Sequence, residues 1–255
     1  KEAGQLVLIG AKPPVAFFGY PGKPSLLYQE GIPMTRLANV EDDIIAALEA
    51  LEAELGAQNS EMAHVAQAGR PDKPSGEPTL ENLAAVMGNM LPDGAIVVDE
   101  SVTTGRGFFP ATAGAARHDW LNNRGGSIGF GMPVAIGAAV AAPDRKVILL
   151  EGDGSGMYTV QSLWTMAREN LDITTIIFSN RSYKILRGEL SNVGVQNPGP
   201  RAIDMLSLER PDLGWVHMAR GMGVDGDQVT DCEGLMRAME AGLQTDGPYL
   251  IDLVM

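Results

Sequence analysis

Hydrophobic positions fall along this chain in short unbroken runs and in helical stripes, and the alternation of the two predicts most of the architecture. Ala95–Val98, Val147–Leu150 and Thr174–Phe178 are runs bounded by polar or turn residues. Runs of that kind read as strands buried on both faces, as in a parallel sheet. Thr159–Glu169 reads as a helix between the last two, giving one βαβ unit. Helix Thr79–Met90, turn Pro92–Gly94 and an Ala- and Gly-rich helix Pro133–Ala142 surround the first run. Helix Trp215–Gly221, strand Gly223–Val229, helix Cys232–Thr245 and strand Tyr249–Val254 continue the alternation and complete an α/β layer.

The N-terminal segment has a thinner pattern. Leu6–Ile9 and Val15–Phe18 read as short strands, and Asp42–Leu55 as an amphipathic helix with Ile44, Ile45, Leu48, Leu51 and Leu55 near one face. So small a piece has difficulty burying a core of its own, and something upstream is expected to complete it. Residues 57–77 turn to Gln, Ser, Gly, Pro, Asp and Lys and read as a linker, with His64 a solvated residue inside it. The division is then 1–56, linker 57–77, and 78–255. The stretch Leu186–Asp212, with Pro198, Pro200 and Pro211, reads as a long loop covering one side of a pocket.

Chemistry concentrates where the central strands end. Glu151-Gly-Asp-Gly-Ser155 follows one run, and Ser179-Asn-Arg-Ser-Tyr183 follows the next. Asp153 and Asn180 therefore sit just past the carboxyl ends of parallel strands, where open α/β sheets place their ligands. A carboxylate and an amide oxygen suit a small hard cation such as Mg²⁺, which keeps substrate phosphates in its remaining positions. Gly152 and Gly154 permit a tight turn and bring backbone N–H groups close to an anion. A helix start beside them adds its positive end. A metal-bridged diphosphate is the guest this pattern implies.

Charge narrows the partners. A net charge of −13, with 45% hydrophobic and 20% charged residues, describes an ordinary globular protein and argues against nucleic acid or an anionic membrane as partner. Cys232 is the sole cysteine, which excludes an intrachain disulfide and a thiolate cluster. No apolar run approaches a membrane span and the N-terminus lacks a signal-peptide layout, so a cytoplasmic location is expected. The sequence opens at Lys1 without a methionine, a hint of processing or truncation.

The Gly-Asp-Gly-Ser element and the Asn at the next strand exit resemble the thiamin diphosphate motif of the pyruvate oxidase and acetolactate synthase superfamily. That resemblance implies a doubly wound parallel sheet of the thiamin diphosphate-binding type over 78–255, preceded by the C-terminal part of a central α/β domain. It implies metal ligation by Asp153, Asn180 and the backbone carbonyl of Ser182, and contacts to the cofactor from Gly152, Gly154, Ser155 and Tyr183. Asp99-Glu-Ser-Val-Thr-Thr-Gly105 is similar to a benzoylformate decarboxylase loop, implicating Thr103 and Ser101 at the diphosphate. Gly125-Gly-Ser-Ile-Gly-Phe130 is similar to the element beneath the bent cofactor, with Ile128 a prop between its rings and the Gly126 carbonyl accepting from its amino group. Small residues there also have a plain packing reading, and Asp99–Gly105 one as a polar turn. Where some relatives carry a catalytic histidine, this sequence has Phe18 and Gly19, and Ser179 replaces an asparagine common in relatives. His118, in a polar loop, and His217, in mid-helix, read as packing or surface residues.

The implied activity is thiamin diphosphate- and Mg²⁺-dependent decarboxylation of a 2-oxo acid, with or without carboligation, acetolactate synthase-like or benzoylformate decarboxylase-like. In the family the activating glutamate comes from a pyrimidine-binding domain that this chain does not show, and Glu100 belongs to the phosphate side. The N-terminal half is then expected as a separate chain or missing segment, with the full enzyme a homodimer or homotetramer. A flavin in the central domain is left open. The rival readings are a non-catalytic cofactor-binding fragment and a substrate-binding α/β protein whose Asp-Gly turn is incidental.

Overall fold

The computed structural model describes residues 3–62 and 64–255, so Lys1 lies outside the described residues. The chain divides into two compact units, one of residues up to Val65 together with Leu190–Gln196, the other of Ala66–Glu189 and Asn197–Met255.

In the first unit, β1 (Leu6–Ile9) pairs in parallel with β2 (Met34–Ala38). Helix α1 (Ile44–Glu54) follows, its Asp43 carboxylate accepting from Ala46 N at 3.0 Å as an N-cap. The expected strand at Val15–Phe18 is not formed: Val15 makes a single antiparallel bridge to Leu26. The unexpected β2 is Met-Thr-Arg-Leu-Ala, too polar and exposed to stand out as an apolar run. Only Leu8 and Ala38 of the unit's described apolar residues are buried, and α1 buries none. Beyond a single 3₁₀ turn at Ala57–Asn59, the described residues up to Thr79 form no helix or strand, and His64 is exposed.

The second unit is built on one parallel sheet. Its strands are β3 (Ala95–Glu100), β4 (His118–Asn122), β5 (Val147–Gly152), β6 (Ile173–Ser179), β7 (Asp225–Val229) and β8 (Tyr249–Val254), in the order β4-β3-β5-β6-β8-β7. Side chains alternate between faces, so neighbouring residues of one strand enter different cores. Ile148, Leu150, Ile176 and Phe178 pack with Leu83 and Met87 of α2 (Leu80–Met90) and with Leu235 and Met239 of a C-terminal helix, Cys232–Gln244. Val147, Leu149, Ile173 and Ile177 pack on the opposite face with Met132, Leu163, Met166 and Trp215. Helices thus cover both faces, as the apolar runs require. The remaining helices are α3 (Phe108–Ala111), α4 (Gly131–Ala141), α5 (Asp153–Gly156), α6 (Ser162–Arg168), α7 (Lys184–Asn192), α8 (Pro200–Asp204) and α9 (Trp215–Gly221), which makes the C-terminal one α10.

Several boundaries differ from expectation. Strand β3 runs on through Asp99 and Glu100, because their backbones continue to pair with β4 and β5 although the side chains are acidic. The single helix expected over Thr159–Glu169 is shorter, and a separate helical turn begins at Asp153 itself. His118 opens edge strand β4 rather than lying in a loop; an edge strand of His-Asp-Trp-Leu-Asn lacks the apolar run of a central one. Leu186–Asp212 is no irregular loop: α7 enters it and α8, opened by Pro200 at its first turn, lies within it. His217 is exposed on α9.

Candidate cofactor site

A cavity of about 110 Å³ opens at the carboxyl ends of the central strands. It is lined by Ser101, Val102 and Thr103 after β3, by Gly152–Ser155 after β5, by Asn180 and Ser182–Leu186 after β6, and by Ile128 and Tyr158. Every residue singled out from the sequence except Gly126 lies in this lining, brought together because parallel strands all deliver their following loops to one edge. Gly126 is exposed on the same loop as Ile128.

Asp153 ties two of these loops together. Its Oδ1 accepts from Gly154 N at 2.9 Å and its Oδ2 from Arg181 N at 2.6 Å. The group is almost fully buried, and desolvation pushes its pKa up from 3.8 to about 6 against those two amide donors. Asn180 Oδ1 accepts from Ser182 N at 3.1 Å, the Asx turn that aims this loop, and the Ser182 carbonyl accepts from Lys184 N at 2.7 Å. Each of these oxygens keeps a second lone pair for a cation. Gly154 has a steric reason to be glycine: a Cβ there would lie 2.8 Å from the ring of Tyr183.

The loop after β3 is shaped by its acids. The Ser101 hydroxyl donates to Asp99 Oδ1, and Ser101 N donates to the same oxygen at 3.0 Å. That hydroxyl is therefore engaged within the protein, and Thr103 is the half-buried hydroxyl residue on the cavity wall. Glu100 accepts from Gly129 N at 2.6 Å and Gly131 N at 2.5 Å. Facing it, Glu151 is completely buried; burial first, and then the charge of Glu100, hold its carboxyl well above the ordinary range. A neutral Glu151 is a donor, which relieves the repulsion of two adjacent acids.

Two residues with positive φ that are not glycine flank the cavity, Val102 at 50° and Arg181 at 54°. For a β-branched residue this is strained backbone, and such strain clusters where loops are held for a ligand. Neither was marked by the sequence, since φ leaves no compositional trace there. Tyr158 also lines the cavity, where only its position just beyond Ser155 signalled it, and Lys184, Ile185 and Leu186 continue the wall from Tyr183.

The donor set fits a diphosphate carried with a divalent ion. Among the described residues no three His, Cys, Asp or Glu side chains come together as a metal site. The oxygen donors at the cavity are instead one carboxylate, one amide and one backbone carbonyl, which suits a hard cation that draws the rest of its shell from phosphate and water.

Relatives agree. Residues 108–253 match the family described as thiamine pyrophosphate enzyme, C-terminal TPP binding domain. The chain is 50% identical over 250 residues to IlvX of Mycobacterium tuberculosis, provisionally described as an acetolactate synthase large subunit; the match covers 98% of this chain and 48% of that protein. It is 31% identical over 189 residues to benzoylformate decarboxylase of Pseudomonas aeruginosa, covering 74% of this chain and 33% of that one. The fold is similar to a thiamine diphosphate-dependent 4-hydroxybenzoylformate decarboxylase of Rhodococcus jostii, with a TM-score of 0.79 at 26% identity over 100% of this chain and 49% of that one. The chain spans about half the length of IlvX and of this structural neighbour. It belongs to the thiamine pyrophosphate enzymes of the acetolactate synthase and benzoylformate decarboxylase type, and carries their C-terminal cofactor-binding domain.

Proposed function

We propose that this chain forms the diphosphate- and metal-binding half of an active site that decarboxylates a 2-oxo acid, with or without carboligation, in the manner of acetolactate synthase. The carrying observation is that Asp153, Asn180, Ser182, Thr103 and Ile128 line a single cavity at the strand ends. Asp153, Asn180 and the Ser182 carbonyl hold Mg²⁺. Thr103, Ser155, Tyr183 and the amides around Gly152 and Gly154 hold the diphosphate, and Ile128 and Gly126 border the rings. The chemistry thiamin diphosphate supplies when bound is a stabilised carbanion and an electron sink for the departing carboxylate. What this chain does is anchor the anion and orient it in a cleft whose remaining walls, including the activating glutamate, come from a pyrimidine-binding half in the same or another polypeptide. A homodimer or homotetramer in the cytoplasm is the assembly this reading implies. No helix of the described residues is long and apolar enough to cross a membrane.

A benzoylformate decarboxylase-like lyase is the second reading, favoured by the Glu100-Ser101 loop and by the Pseudomonas relative. A panel of 2-oxo acids with and without an acceptor aldehyde or second oxo acid separates the two by product. The shared premise is tested by titrating thiamin diphosphate calorimetrically in the presence and absence of Mg²⁺. Binding should require the metal, and Asp153→Ala should weaken it by about 100-fold or more, since even outer-sphere partners of a metal contribute 10- to 100-fold. Equal affinity in the variant would remove Asp153 from the metal site.

A further inference from the structure

Ile128 is 45% exposed, so packing does not fix where it stands. Hydrogen bonds hold its loop instead. Asn123 Oδ1 accepts from Ser127 N, and Asn123 Nδ2 donates to Ser127 O, both at 3.1 Å. Thr159 Oγ1 donates to Gly129 O at 3.0 Å. Glu100 then takes the two amides that bracket Ile128 on its C-terminal side, one carboxylate oxygen for Gly129 and the other for Gly131. Bonds to an ionised acceptor are roughly twice as strong as neutral ones, and Gly131 opens α4, whose positive end favours an anion at that place. The approach is close enough that Gly131 has no room for a side chain: a Cβ would collide with Glu151 Oε2 and lie 2.9 Å from Glu100 Oε2.

We infer that Glu100 is a positioning residue, which clamps the Gly129 and Gly131 amides to the end of β3 and thereby fixes Ile128 at the cavity against the rings of the cofactor. The inference rests on the reading of the cavity as a thiamin diphosphate site, but it adds a role for an acid that does not itself line the cavity. Glu100 and the metal ligands then serve different parts of one ligand. Asp153 governs the diphosphate; Glu100 governs the rings through Ile128.

The experiment compares two probes, magnesium pyrophosphate and magnesium thiamin diphosphate, on the parent chain and on Glu100→Gln. The substitution keeps the shape but turns one acceptor into an NH₂ group facing an N–H. Thiamin diphosphate affinity should fall by about tenfold, the equivalent of one charge-assisted bond, while pyrophosphate affinity stays within about twofold. Hydrogen exchange of the peptide containing residues 124–131 should quicken in the ligand-free variant, with β5 and β6 peptides unchanged. Should Glu100→Gln fail to fold, Thr159→Val releases the same loop from its other side and should give the same ring-selective loss, smaller in size. Equal losses for both probes, or an unchanged exchange rate in residues 124–131, would overturn the clamp. A parent chain that binds neither probe would overturn the cavity reading and the clamp with it.

Discussion

The two units of this chain bury their apolar residues to very different extents. In the sheet unit, Leu149, Leu150, Ile176, Ile177 and Phe178 are wholly sealed, between helices on both faces. In the N-terminal unit Val7, Val15, Phe17, Phe18, Ile45 and Leu55 remain at least half exposed, and two described apolar residues reach burial. The costly features follow the packing. All four non-glycine residues with positive φ among the described residues, Val102, Asn170, Arg181 and Arg210, lie in the sheet unit, as do the buried acids Glu100, Glu151, Asp153 and Asp252. Strained backbone and buried charge persist only where surrounding structure over-determines them, so the unit with a core is the one able to hold a site.

The severest challenge to that contrast is to separate the units. Residues 66–255 expressed alone should melt in one cooperative transition by calorimetry, whereas residues 1–65 alone should show none, because so small an area of buried apolar surface does not offset chain entropy. A cooperative transition in the short piece would show that its exposed residues find cover within it.

Next in size is a matched pair of truncations. Leu149→Ala removes a fully buried side chain from the central strand β5 and should cost about 4 kcal/mol in denaturant unfolding. Ile45→Ala, at a position 71% exposed on α1, should cost less than about 0.5 kcal/mol. Similar values at both positions would dissolve the distinction between the units.

The same contrast explains what was legible in the sequence. Buried parallel strands are dominated by apolar residues, with few polar ones such as Thr174 and Asp252 among them, so β5, β6 and β8 could be read directly, and with them the positions of Asp153 and Asn180 at strand exits. Partly exposed or edge strands follow no such rule: β2 with Thr35 and Arg36 went unread, and β4 with His118 and Asp119 passed as a polar loop. Among the residues of the cavity, those defined by chemistry were named from the sequence and those defined by backbone or distant pairing were not. Nothing in the local sequence of Glu100 points to Gly129 and Gly131, some thirty positions on, and Val102 carries no mark of its φ.

Buried charge gives a pH test. Asp153 carries a folded-state pKa of about 6 against 3.8 for the free group, because burial penalises its ionised form. Its neutral form is favoured by folding, so its contribution to stability is complete below pH 3.8 and is lost as the pH rises through about 6. The loss amounts to about 3 kcal/mol at 1.36 kcal/mol per unit. Asp153→Asn should flatten that part of the pH dependence of unfolding in the ligand-free protein. Cation binding runs the other way: Mg²⁺ needs the carboxylate, so affinity should be constant above about pH 6 and fall about tenfold per unit below it. An affinity unchanged down to pH 5 would mean that the ion does not displace a proton from Asp153.

The smallest expected effect comes from Val102. At φ 50° its branched Cβ crowds the backbone, a conformation that asparagine tolerates far better. Val102→Asn should therefore stabilise the ligand-free protein by up to about 1 kcal/mol, offset in part by the loss of a half-buried apolar side chain. The informative readout is thiamin diphosphate affinity. If the sheet core sustains that strain in order to hold Thr103 at the cavity, relieving it should leave affinity unchanged or slightly lower even as the melting temperature rises. A variant both more stable and tighter-binding would show that the left-handed turn at Val102 burdens the site without shaping it.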